Sequence, residues 1–360
     1  MKKAVTVFIA ILCFASACGA QETGMLAGIA RAKEVLKNQT AGYQICDGRV
    51  CRANVLLAVR GPDGKIQTVR IDYAGHVQSN LKIAFDNLAL GMGTAFSVKE
   101  KGYLVLAMKR AVRDRYGRIE EAVYVPYSQQ MDTPEVRKQG MVYLRAVVAR
   151  ARANLKRMGI KSRAYRGRLV ADTVPTDVPI TIALIEHIDP CDFNACCKAK
   201  RPVTPLADKV LVTLALNRGD SYRFCNSSAG ARGLFQFTRP TYDLVRRKYP
   251  KAGLLPDFVS GAGNLVNAAM ASFLIFDSNL GHLNRARLIC FRRQPELKRL
   301  FIAASYNEGP GRAAHNRFLD QTKNYLKKFI AVWDNFFHSA KRGKETRRRA
   351  SGRHFALLDH

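Results

Sequence analysis

The segment "TDVPITIALIEHIDP", Thr176 to Pro190, is apolar at Val178, Ile180, Ile182, Leu184, Ile185 and Ile188, so it reads as a helix over 178–188 buried on nearly every side. Thr176 or Asp177 is placed to cap it, Pro179 falls near its first turn, and Pro190 is expected to stop it. Glu186 stands inside the apolar run. Two arrangements are open to that side chain. Enclosed by apolar neighbours, its charged form is disfavoured and it holds a proton near neutral pH; at the helix edge, it is an ordinary acid facing water.

From "VADTVPTDVP" onward the chain reads as helices joined by loops, whereas the pattern before it is mixed. "VLLAVRG" followed by "PDGKIQTVRIDYAG" predicts a hairpin around Pro62, Asp63 and Gly64, and "EAVYVPY" predicts another strand. "TPEVRKQGMVYLRAVVARARANLKRMG" predicts a long basic amphipathic helix, capped by Thr133, with Pro134 at its first position and Gly159 closing it. Its basic face is expected to be a solvated surface. The expected class is α+β: a signal segment over 1–20, an α+β accessory region over 21–170, a mainly helical domain over 171–338, and a basic tail over 339–360 without apolar periodicity. No internal repeat is visible.

The N-terminus, "MKKAVTVFIAILCFASACGAQ", has two lysines, an apolar run from Ala4 to Ala15 and then small residues, the pattern of a secretory signal peptide. Its "ASAC" resembles a bacterial lipobox, with Ala15 where leucine is usual, which makes Cys18 a candidate lipid-attachment point. "NAAMASFLIF" is too short for a membrane span. The expected location is the periplasm or cell envelope. With 59 Lys and Arg against 28 Asp and Glu, a net charge of +31, the chain should seek anions. Export directs that surplus to the cell wall and to anionic envelope polymers or lipids. Nucleic acid is the weaker alternative, because no specific binding signature is present. A 48% hydrophobic content excludes disorder of the whole chain.

Export also makes disulfides the expectation for most cysteines. Cys46 and Cys51 bracket an Asp-Gly turn in "CDGRVC" and form the obvious local pair. Cys191, Cys196, Cys197, Cys225 and Cys290 are an odd set whose connectivity spacing leaves open, most of them expected to be oxidised. A metal site on Cys191, Cys196 and a histidine is the sharper alternative, but no CxxC or HExxH spacing supports it.

Two further stretches bear on chemistry. In "NSSAGARGLFQF", Asn226 to Phe237, the small residues let a ligand or another backbone approach closely before the amide of Gln236, although such runs are more often packing than site. In "FIAASYNEGPGRAAHN", Phe301 to Asn316, a buried helix ends in Tyr306 and Asn307 before a Gly-Pro-Gly turn. A hydroxyl and an amide there can orient an acid and a sugar.

An acid after an apolar helix, then "SSAGARGLFQF", then "AASYNEGPG", then "QTKNYL" is an order that resembles the SLT-type lytic transglycosylases, peptidoglycan-cleaving enzymes with a goose-lysozyme-like fold. The resemblance runs from Val178 to Trp333, under half the chain. It implies that Glu186 is the single catalytic acid and that Ser228, Gly233 and Gln236 line the glycan groove. It further implies that Tyr306 bonds the acid, that Asn307 neighbours it in the groove, and that Tyr325 is the aromatic of the closing motif. The substrate implied is the peptidoglycan glycan strand, cut at its MurNAc–GlcNAc β-1,4 bond with formation of 1,6-anhydroMurNAc ends. No metal or organic cofactor is called for. The chain departs from the pattern at His187, where serine is usual, and at Gln321, where glutamate is usual. The long insertion between Glu186 and Gly233 brings in Asp189, Asp192 and Asp220 as rivals for the acid. A lysozyme-type hydrolase on the same fold and a non-catalytic wall-binding protein are the alternatives.

Overall fold

The computed structural model describes residues 19–47, 49–85, 94–113, 119–315 and 318–338. The apolar run of the signal segment, Cys18 and the basic tail over 339–360 lie outside the described residues. Among those described, a first helix and all the strands occupy the N-terminal part and helices the remainder, an α+β arrangement.

Helix α1 (Gly19–Lys37) leads into a short hairpin of β1 (Tyr43–Cys46) and β2 (Arg49–Ala53), closed by the Cys46–Cys51 disulfide. Then come β3 (Val55–Arg60), β4 (Ile66–Ile71), β5 (Val77–Gln78), β6 (Ile83–Phe85), β7 (Phe96–Val98), β8 (Leu104–Arg113) and β9 (Ile119–Tyr124). Five of these form an antiparallel sheet in the order β5-β4-β3-β8-β9, and β3 and β4 make the hairpin turning at Pro62-Asp63-Gly64. The run "VLLAV" of β3 does not alternate in polarity because both of its faces are covered. Val55, Leu57 and Val59 pack with Val69, Ile71 and Phe96 on one side. Leu56 and Ala58 pack with Ile29, Ala32 and Leu36 of α1 on the other.

The helical part contains α2 (Pro134–Arg157), α3 (Val170–Thr173), α4 (Asp177–Ile185), α5 (Pro190–Lys198), α6 (Thr204–Asn217), α7 (Arg239–Lys248), α8 (Phe258–Gly263), α9 (Leu265–Leu280), α10 (Arg285–Arg293), α11 (Pro295–Glu308), α12 (Pro310–Ala314) and α13 (Asp320–Trp333). Thr133 caps α2 by accepting from the Val136 N–H at 3.3 Å, and Gly159 follows it at φ +64°. The apolar stripe of α2 does not belong to the accessory region alone. Met141, Leu144, Val147, Val148, Ala151 and Leu155 enter the same core as α4, α9 and α13, so the helical core reaches back across residue 171.

Helix α6, which lies in the long insertion, joins the two halves. Val210, Leu211 and Leu214 face the helical core, while Val212, Ala215 and Leu216 join the sheet-side core with α1 and β3. Asn217 at its end takes both backbone groups of Val125, accepting from its N–H at 2.8 Å and donating to its carbonyl at 2.9 Å. Arg137 of α2 pairs with Asp208 of α6 at 3.2 Å. Where α2 crosses α6, a Cβ placed on Gly140 would lie 2.0 Å from the Leu211 carbonyl oxygen, so only glycine permits the approach. Gly140→Ala is therefore expected to lose about 2–4 kcal/mol of stability, overriding the ~1 kcal/mol that alanine gains in a helix. Urea unfolding measures this, and an unchanged midpoint would mean that the crossing opens freely.

Three expectations need correction. Helix α4 ends at Ile185, not Ile188, and Pro190 starts α5 instead of merely stopping α4. The cause is Asp189, whose carboxylate caps α5 by accepting from the N–H groups of Cys191 at 2.7 Å and Asp192 at 3.2 Å. Thr176 makes no side-chain cap on α4, and Asp177 instead accepts from Arg299 Nε at 2.7 Å and Trp333 Nε1 at 3.0 Å. Finally, Cys191, Cys196, Cys197, Cys225 and Cys290 are free thiols. Cys191 and Cys196 are five residues apart on one helix, about 7.5 Å along its axis, too far for a bridge without backbone movement. Cys196 and Cys197 are helix neighbours that diverge. Among the described residues no helix is long and apolar enough to cross a membrane; "NAAMASFLIF" lies in the central, almost wholly buried α9.

Candidate active site

Helices α4 and α13 run antiparallel, with Trp333 at the end of α13 bonded to Asp177 at the start of α4. That pairing brings the start of α13 to the end of α4, where Tyr325 Oη donates to Glu186 Oε1 at 2.6 Å. Glu186 is the residue that follows α4, still in right-handed helical conformation, its N–H donating to the Ile182 carbonyl at 3.1 Å. The residue is half-buried. Burial pushes its pKa up to about 7, against the opposing pull of the Tyr325 hydrogen bond and the Lys328 charge. The carbonyl end of a helix dipole acts in the same direction as burial, since it disfavours a carboxylate. Near neutral pH this group both holds and releases a proton, the property that a general acid–base needs.

Tyr306, on the last turn of α11, does not hydrogen-bond the acid, contrary to the expectation. Its hydroxyl donates to the Phe235 carbonyl, and its ring meets Phe237 and Phe276 edge-on at 6.2 and 5.5 Å. Tyr325 takes the role of direct partner instead, because the antiparallel pairing of α13 with α4 points it at Glu186. Both tyrosines are held well above their ordinary pKa, first by burial and then by the nearby Glu186 charge, so both stay neutral donors. Lys328, one turn beyond Tyr325, is a neighbour that the sequence reading missed. Its ammonium donates to the Ile188 carbonyl at 3.2 Å and its pKa is lowered by burial, partly offset by Glu186 and Asp189. The i, i+3 spacing from Tyr325 is the signal that could have found it.

The 226–237 loop is pinned by the bridges Asn226 to Arg232 and Arg232 to Phe237 and by the buried Leu234, Phe235 and Phe237. Ser228 lies at its exposed tip. Gly233, at φ +75°, turns its bare face to the backbone of α8, where a Cβ would lie 2.1 Å from the Ala262 carbonyl oxygen. The close approach it permits is thus to another backbone. Gln236, at φ +50°, turns its amide back onto the Gly233 carbonyl at 2.8 Å and the Cys225 sulfur at 3.5 Å. Asn307 sits at the α11–α13 junction, where the Thr322 hydroxyl lies 2.9 Å from its Oδ1 and 2.8 Å from Glu308 Oε2 and donates to one at a time. Glu186, Tyr306 and Tyr325 are therefore brought together. Gln236 is linked to Tyr306 through its own loop, among the described residues Ser228 makes no hydrogen bond with Glu186, and Asn307, next to Tyr306 in the chain, bonds Thr322.

His187 braces this loop. Its Nε2 lies 3.0 Å from the Leu234 carbonyl, so the neutral ring carries its proton on that nitrogen, and the ring stacks on Tyr222 at 3.8 Å. Burial pushes its pKa down to about 4. Asp189, Asp192, Asp220 and Gln321 are exposed, Asp189 serving as the α5 cap and Asp220 pairing with Arg223 at 3.5 Å. Among the described residues no group of three His, Cys, Asp or Glu side chains is placed to hold a metal ion. Compared with protein-family models, curated proteins and solved structures, the chain matches none.

Proposed function

We propose that this chain is an exported peptidoglycan lytic transglycosylase whose helical part is lysozyme-like, with Glu186 acting in turn as general acid and general base. The observation that carries the reading is the half-buried carboxyl at the end of α4, raised to about 7 and held by Tyr325 at 2.6 Å. Because Tyr325 occupies Oε1, Oε2 is the oxygen left to carry the proton. That proton goes to the glycosidic oxygen as the bond from the MurNAc C1 breaks. The N-acetyl oxygen of the same sugar can meet the charge developing at C1. Glu186, now a carboxylate, then takes the C6 hydroxyl proton as C6 oxygen bonds to C1, which restores the acid and closes the anhydro ring. The nucleophile is already attached to the substrate at high effective concentration, so one carboxyl suffices. The net charge of +31 suits a chain that must hold an anionic wall and envelope.

Digestion of purified sacculi tests the reading. Released muropeptides are expected to end in 1,6-anhydroMurNAc, lighter by one water than hydrolytic products and resistant to borohydride. Reducible ends would instead mean that a second carboxylate activates water, the hydrolase alternative. Release of no muropeptides at all would overturn the enzymatic reading.

A further inference from the structure

A cavity of about 1030 Å³ lies between the accessory sheet and the helical part, and Glu186 is not in its wall. Arg110 of β8, Lys209 of α6, and Arg223 and Arg232 of the loop beyond α6 all line it, against a single carboxylate, Asp220. Lys209 and Arg232 have no carboxylate partner among the described residues. Arg223 is half-exposed and shared between Asp220 at 3.5 Å and Glu120 at 4.0 Å, pairs weak enough for an incoming anion to replace. Tyr127 and Tyr222 supply apolar faces, and Lys209 already sits over the Tyr127 ring at 5.7 Å.

The wall of this cavity is also strained. Tyr222, in that wall, is at φ +60°, a bulky residue in the left-handed region, where L side chains rarely stay without a reason imposed by their surroundings; Arg218, beside the lining residue Gly219, is at φ +46°. Tyr222 is the residue on which the His187 ring stacks, and His187 both lines the cavity and adjoins Glu186 in the chain. An occupant that pressed on Tyr222 would therefore act on the brace of the 226–237 loop.

We propose that this cavity binds a short acidic peptide with at least two free carboxylates and one amine, and that the peptide is the stem peptide of the wall polymer. The basic groups match the carboxylates, Asp220 matches the amine, and the volume is that of a ligand of three or four residues. The requirement for an amine separates such a peptide from a simple anion. The assignment to the wall rests on the glycan-cleaving reading above; the acidic-peptide site does not.

The test is calorimetric titration of the full chain with a synthetic Ala-Glu-diaminopimelate tripeptide and with the same tripeptide amidated at its carboxylates. The acid form is expected to bind at least about ten-fold more tightly than the amidated form, and binding should weaken as salt rises. Arg223→Gln combined with Arg232→Gln should lose at least about ten-fold, Arg232→Lys should recover part of it, and Glu186→Gln should bind like the unaltered chain. Equal affinity for the two peptides, or no binding of the acid form, would overturn the site even if sacculi are cut. If the acid peptide binds as expected while sacculi yield no muropeptides, the peptide site stands and its assignment to the wall falls.

Discussion

Glu186→Gln is expected to fold, to bind sacculi and to lose muropeptide release by on the order of 10²–10⁴-fold, the usual contribution of a positioned acid–base. The amide keeps the size of the side chain and can still accept from Tyr325, but it has no proton to give. The same substitution should alter how stability depends on pH. Burial raises the Glu186 pKa to about 7, so between its unfolded value and 7 the folded state holds a proton that the unfolded state has lost. The stability tied to that proton is fully present below the unfolded pKa and is lost as pH rises through about 7. Relative to the Gln variant, the unaltered chain should therefore lose on the order of 1–3 kcal/mol between about pH 5 and pH 8. Urea unfolding at the two pH values measures it. A difference that stays flat would place Glu186 in a wet environment, and near-normal muropeptide release would move the acid to Asp189, Asp192 or Asp220.

The second large effect concerns Asp277, fully buried on α9. Its Oδ1 accepts from Ser162 Oγ at 2.5 Å and Thr173 Oγ1 at 3.2 Å, and its Oδ2 from the Arg163 N–H and Tyr249 Oη, both at 2.8 Å. One carboxylate thereby ties α9 to the loop after α2, to α3 and to the end of α7. Asp277→Ala leaves the buried Tyr249 hydroxyl and the part-buried Ser162 and Arg163 donors without that acceptor, while Thr173 keeps the Val170 carbonyl at 3.0 Å, and a loss of about 3–5 kcal/mol is expected. Asp277→Asn keeps the shape but turns a donor toward donors, so it should recover only part of the loss. Thermal and urea unfolding of the two variants decide it; an alanine variant within about 1 kcal/mol of the unaltered chain would mean that water replaces the carboxylate.

The protonation of Glu186 is set by its own surroundings. Tyr325 and Lys328 both stabilise the ionised form of Glu186, while burial opposes it and is the larger influence. The balance is what leaves the group near neutrality. The resemblance to lytic transglycosylases named Tyr306 as the partner of the acid, yet Tyr306 is committed to the Phe235 carbonyl and acts on Glu186 only through space.

The sequence by itself determined the features that depend on near neighbours in the chain. The β3–β4 hairpin follows from turn residues between apolar runs, the limits of α2 from Thr133, Pro134 and Gly159, and the burial of α4 from its largely apolar content. The Cys46–Cys51 bridge spans one turn. Each of these is set within a few residues by backbone sterics, capping or period. Only the tertiary structure decided which tyrosine meets Glu186, because Tyr325 lies 139 residues away and reaches it through the antiparallel packing of α13 on α4. The same holds for Gly233, whose bare face meets Ala262 and not an open groove, and for the remaining cysteines, which stay free thiols. It holds most for α6, whose two apolar faces look alike in sequence but are divided between two cores. Apolar residues declare that they will be buried; what they are buried against is a matter of long-range packing, which no local pattern encodes.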